Sequence, residues 1–130
     1  MRELEKTIHK YLKERGWDHL LPGDIAKSIM IEGAELLEHF QWENLPLEKV
    51  RKNKEKLEEI GKELADVLIY ALELSVLLKL NTKKIIKDKL AHAAKKYPAH
   101  LMKKNAKKKS GSGRDPLYWK IKKEHRTNKK

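Results

Sequence analysis

Apolar residues recur at helical intervals along the first hundred positions, and no stretch alternates as a strand would require. Residues 2–16 set Leu4, Ile8, Tyr11 and Leu12 on one face with charges elsewhere, which predicts an amphipathic helix ended by Gly16. A connection opens at Trp17 and is punctuated by Pro22 and Gly23, and Asp24 is placed to cap a second helix over about 25–42. After the break at Asn44 and Pro46, residues 47–80 read as one long helix. Its first half is charged, with Val50, Leu57 and Ile60 as a thin seam, and its second half is apolar nearly all the way round. Such a helix belongs at the centre of the fold or at a subunit interface. A fourth helix is expected over 82–96, with Ile85, Ile86, Leu90 and Ala94 on its apolar side, ended by Tyr97-Pro98. Beyond Met102 the period is lost. Residues 103–113 read as a solvated linker, and Pro116 opens a candidate short helix. The pattern predicts an all-α, four-to-five-helix bundle, with a helical domain over 1–102 and a basic tail over 103–130.

Two acidic pairs interrupt this scheme, Glu32-x-x-Glu35 and Glu63-x-x-Asp66. With Glu32 as origin and ~100° per residue, Ile25, Ile29, Leu36 and Phe40 fall within about 80° on one side, and Glu35 lies about 60° to the other. Glu38 falls roughly 120° away, on the solvated side. Glu63 and Asp66 have the same spacing at the entrance to the apolar segment. None of the four has a Lys or Arg four residues on, where Leu36, His39, Val67 and Tyr70 stand. Only Asp66 has a base one turn back, Lys62, in the less favourable orientation. Carboxylates entering a core with so little pairing call for a cation. An all-carboxylate set suits Mg²⁺ or Mn²⁺ rather than zinc, and the Glu-x-x-His pairs of a di-iron bundle are absent. Mg²⁺ in turn prefers a site shared with substrate phosphates, which points to phosphoryl chemistry in which the metal activates water and clamps phosphate oxygens. There is no P-loop, so metal and lysine would hold the phosphates.

Composition narrows the remaining classes. The chain has no cysteine, which excludes disulfides, thiolate metal sites and cysteine nucleophiles. The most apolar run, 64–80, carries Asp66, Glu73 and Lys79, so it reads as a buried helix and not a membrane span. Glu73 is expected to form a salt bridge with a neighbouring lysine. The opening M-R-E-L-E-K has no apolar segment of the signal-peptide kind, and a soluble, cytoplasmic protein is expected. The net charge of +12 is unevenly placed: residues 1–94 hold 17 Lys and Arg against 17 Asp and Glu, whereas 95–130 hold 14 basic residues against only Asp115 and Glu124. A solvated tail is the ordinary meaning of such a run. The rival is a non-enzymatic helical module whose tail, with Y-W-K-I-K-K, grips nucleic acid.

E-G-A-E-L-L-E-H-F-Q-W, then E-L-A-D-V-L-I-Y-A-L, then K-x-x-x-x-x-x-K-Y-P ending at Pro98 closely resemble the MazG-like nucleoside triphosphate pyrophosphohydrolases, nearest to their dCTP pyrophosphatase branch. The resemblance covers roughly residues 1–102. It implies an all-α fold and hydrolysis of (deoxy)nucleoside triphosphates between the α and β phosphates, yielding monophosphate and pyrophosphate in a house-cleaning role. It also implies Mg²⁺ held by Glu32, Glu35, Glu63 and Asp66, with Glu32 or Glu35 orienting the attacking water. By the same likeness Trp17, Trp42 and Tyr70 line the base pocket, Lys89 and Lys96 face the phosphates, and the protein is a dimer or tetramer whose site is completed across subunits. One position departs from the pattern: Ala93 stands where the family usually has asparagine, which removes a polar contact near the metal or phosphates.

Overall fold

In the computed structural model, residues 1–106 and 116–128 are described, and they form seven helices and no strand. The helices are α1 (Arg2–Glu14), α2 (Pro22–Gln41), α3 (Leu47–Lys52), α4 (Lys54–Leu77), α5 (Thr82–Lys96), α6 (Ala99–Ala106) and α7 (Pro116–Thr127). The all-α expectation holds. None of these helices is long and apolar enough to cross a membrane.

The chain divides into two compact units, Met1–Thr82 and Lys83–Lys130. In the first, α4 is the central element and packs against α2, α1 and α3. Its enclosed apolar core is small: Ile8 and Leu12 from α1, Ile25 from α2 and Val50 from α3. α1 ends as Gly16 predicts. Gly16 takes φ +67°, its N–H bonds to the Lys13 carbonyl at 3.2 Å, and the Trp17 N–H reaches the Leu12 carbonyl at 2.9 Å. This left-handed turn satisfies the last helical carbonyls. α4 ends in the same way, with Leu80 N–H on the Ser75 carbonyl at 2.9 Å, but here the left-handed position is held by Lys79 at φ +56°.

Three expectations are corrected. The helix expected over 47–80 is broken at Asn53, which is extended and accepts the Lys56 N–H on its side chain at 3.1 Å, so it caps α4. α2 starts three residues earlier than expected, because Pro22 occupies the first turn without needing its missing N–H; Asp24 sits inside that turn and is not the cap. Residues 103–106, read as linker, belong to α6, which restarts after Pro98 with Leu101 and Met102 N–H groups on the Pro98 carbonyl. The rest of the expected linker, 107–113, lies outside the described residues. The helix expected after Pro116 is present as α7.

Within the second unit, α6 and α7 pack together. The Tyr97 and Tyr118 rings stack at 5.0 Å, Trp119 meets Tyr118 edge-on at 5.5 Å, and the Lys122 ammonium lies 4.8 Å from the Trp119 ring.

Candidate functional site

The packing of α2 along α4 brings the two acidic pairs together. One carboxylate oxygen each of Glu32, Glu63 and Asp66 lies within 4.8 Å of the other two. Glu32 and Glu63 are half-buried. Glu35, one turn beyond Glu32, comes within hydrogen-bonding reach of both Glu32 and Glu63 but stands outside the group of three. All four predicted acids therefore meet, as three converging oxygens with a fourth carboxylate beside them.

The crowding has an electrostatic signature. The Glu32 carboxyl is pushed above its ordinary range, first by its hydrogen bond with Glu35, then by burial and by repulsion from Glu35, Asp66 and Glu63. Glu63 is raised chiefly by burial and by Glu35, against an opposing pull from the His39 imidazole. Among the described residues, no lysine or arginine forms an ion pair with any of the four acids. Like charges held together in this way favour protonation unless a cation intervenes. The donor set, all carboxylate oxygens in open geometry, fits a hard divalent ion that keeps ligand positions for water and phosphate. His39 is a site neighbour that the sequence reading passed over. Its signal was the Glu35-x-x-x-His39 spacing, which puts the two on one helical face.

A cleft of about 770 Å³ opens beside the acids between α1 and α4. Tyr11 and Trp17 form one wall, meeting edge-on at 6.0 Å, and Asp66, Tyr70 and Glu73 run along the other. The Tyr70 phenol is raised by burial first, then by Glu32, Glu73 and Asp66, which puts it between the cluster and Glu73. Thus Trp17 and Tyr70 line the cleft as expected. Trp42, at the C-cap of α2, does not line it and is 90% exposed. Lys89 and Lys96 lie on α5 in the second unit. Lys89 is exposed, and Lys96 is half-buried with its ammonium 5.3 Å from the Tyr97 ring. The carboxylate cluster and the cleft are built wholly from residues of the first unit.

Glu73 departs from expectation. It is 4% exposed, and among the described residues no lysine or arginine pairs with it; the cleft beside it is lined by apolar side chains, tyrosines and Asp66.

Comparison with known proteins adds two findings. The MazG-like family profile matches residues 27–111, a span that includes both acidic pairs. The structure is similar to that of a pyrophosphatase from Archaeoglobus fulgidus, with a TM-score of 0.66 and 37% sequence identity over 75% of this chain and 92% of that one. No curated protein matches the chain.

Proposed function

The chain belongs to the MazG-like family, and from that premise we propose that it hydrolyses nucleoside triphosphates to the monophosphate and pyrophosphate in a reaction dependent on Mg²⁺ or Mn²⁺. The observation that carries this reading is the convergence of Glu32, Glu63 and Asp66, with no lysine or arginine paired to them among the described residues, at the edge of a cleft with aromatic walls. The pyrophosphatase relative supports the same reaction class.

In this reading Glu32, Glu63 and Asp66 hold the ion, and Glu35 completes the acidic set. A divalent ion held by these residues would supply positive charge to the triphosphate oxygens and would make water acidic enough to attack at neutral pH. Glu35, beside the three ligands and not among them, accepts the proton from that water and orients it toward the α-phosphorus. Trp17 and Tyr70 flank the base in the cleft, and Lys89 and Lys96 contact the phosphates. The substrates are deoxynucleotides of the dCTP class, in a cytoplasmic house-cleaning role. Residues 1–102 suffice for the chemistry, with 103–130 as a basic tail.

The protein acts as a homo-oligomer, a dimer or tetramer. α2 leaves Met30 and Leu37 at 74% and 61% exposure and α4 leaves Leu64 exposed, apolar side chains that a neighbouring copy would cover. The exposed Trp42 then reaches a neighbouring copy's cleft.

The test is pyrophosphate release from a panel of nucleoside triphosphates with and without Mg²⁺. Unchanged rates in Glu35→Gln and Asp66→Asn would falsify the site assignment. A second reading, nucleic-acid binding through the tail, draws on the Trp119 and Lys122 contact on α7. It requires salt-sensitive binding of single strands that Trp119→Ala abolishes while hydrolysis persists.

A further inference from the structure

Asp66, Tyr70 and Glu73 recur at i, i+4 and i+7 on α4, so they share one face, and all three line the same cleft. Seven residues at ~1.5 Å per residue separate the ends of that row by about 10 Å. That is the reach of one nucleoside from its 5′-phosphate to the far edge of its base. A triphosphate anchored at the acids would therefore bring its base to Glu73.

Glu73 is equipped to receive it. Among the described residues, the cleft wall contains no Lys, Arg or His that could pair with the carboxyl. Of the other polar groups on the wall, two are already engaged, the Thr7 hydroxyl donating to the Glu3 carbonyl at 2.9 Å and the Ser28 hydroxyl to the Asp24 carbonyl at 3.1 Å, while the Tyr11 and Tyr70 phenols and the Trp17 indole share the wall with Glu73. Burial alone pushes the Glu73 carboxyl up, which favours its neutral form. A neutral carboxyl offers one O–H donor beside one carbonyl acceptor.

We propose that Glu73 is the base-reading residue of this cleft, pairing with the edge of a nucleobase that sets a ring nitrogen acceptor beside an exocyclic amine, as in cytosine and adenine. The carboxyl O–H donates to the ring nitrogen, and the carbonyl accepts from the amine. Uracil, thymine and hypoxanthine offer an N–H and a carbonyl oxygen at that edge, and the oxygen is a poorer acceptor for the carboxyl proton than a basic ring nitrogen. This assignment rests on the nucleotide-hydrolase reading above and deepens it.

The experiment uses the full chain with Mg²⁺ and the non-hydrolysable α,β-imido analogues of dCTP and dUTP, which differ only at the edge in question. Binding is measured by calorimetry in the unmodified protein, Glu73→Gln and Glu73→Leu. The unmodified protein is expected to bind the dCTP analogue about tenfold more tightly than the dUTP analogue, a difference of about 1.4 kcal/mol, since the carboxyl proton bonds more strongly to a basic ring nitrogen than to a carbonyl oxygen. In Glu73→Leu the ratio falls to near one. In Glu73→Gln it also falls toward one with binding retained, because the less acidic amide N–H discriminates less between a ring nitrogen and a carbonyl oxygen. Equal binding by the unmodified protein, or a ratio that survives Glu73→Leu, overturns the proposal. So does a preference for a dGTP analogue that Glu73→Leu abolishes, which would mean an ionised carboxylate reading two donors. A Glu73-dependent dCTP preference without pyrophosphate release from any nucleotide supports the proposal and removes the hydrolase reading. Failure to bind any analogue removes both.

Discussion

At the Asp66 end of the shared α4 face, acids crowd one another; at the Glu73 end, one acid is buried alone. Both ends hold carboxyls above their ordinary range, but for different reasons. At the cluster, hydrogen bonding and repulsion between acids add to burial, so charge is the problem and a cation is the remedy. At Glu73 burial acts without a neighbouring charge, so neutralisation by a proton suffices. One residue type thus takes two chemical roles about 10 Å apart on a helix, and the surroundings decide which.

The sharpest way to break this contrast is at the reacting end. Asp66→Asn should lower pyrophosphate release on the order of 10²–10³-fold and weaken Mg²⁺ binding with it. Glu35→Gln should lower turnover on the order of 10²–10⁴-fold yet retain Mg²⁺ binding by calorimetry. If both variants lose the metal equally, Glu35 is a ligand and not the base.

Metal addition separates the two ends by stability. Mg²⁺ at 100 times its dissociation constant should stabilise the protein by about 2.7 kcal/mol, read as a rise in Tm at neutral pH, and chelation should reverse it. Glu32→Gln should abolish that rise, whereas Glu73→Leu should preserve it.

The pH dependence of the metal-free protein follows from the raised carboxyls. Glu32, Glu63 and Glu73 bind protons more tightly folded than unfolded, so their contribution is fully present below the unfolded carboxylate pKa and lost as pH rises through the folded values. Metal-free melts should therefore show a higher Tm in mild acid than at neutrality, and Mg²⁺ should flatten the difference. A Tm that climbs steadily toward neutral pH without metal would contradict this.

Smaller effects test the packing. Glu73→Leu should raise stability by about 1 kcal/mol in denaturant titrations at neutral pH, since it removes a carboxyl whose charged form burial disfavours and no cation offsets. Lys79→Gly should change stability by no more than about 1 kcal/mol, in the favourable direction, because glycine adopts the left-handed turn without steric cost.

Much of this was legible along the chain. Apolar spacing located the helices to within a few residues, Gly16 and Tyr97-Pro98 marked their ends, and the four acids stood out because nothing near them in sequence could pair with them. These features are local, set by the period of the helix and the conformational habits of single residues. The break at Asn53 was legible in principle, as a capping residue with room to accept the Lys56 N–H, but the apolar seam continued through it and hid it. Which carboxylates would meet was another matter. Glu32 and Glu63 are 31 residues apart, and only the packing of α2 on α4 makes three oxygens converge with Glu35 to the side. Burial around Glu73 was equally out of reach, because an acid in an apolar helix has the same spacing whether a lysine or an empty cleft faces it. The chain by itself determined the helices, their caps and an acidic set in need of a cation. The tertiary structure decided how those acids are arranged and which one stands alone, because distance and desolvation depend on what packs across from a helix and not on what precedes or follows it.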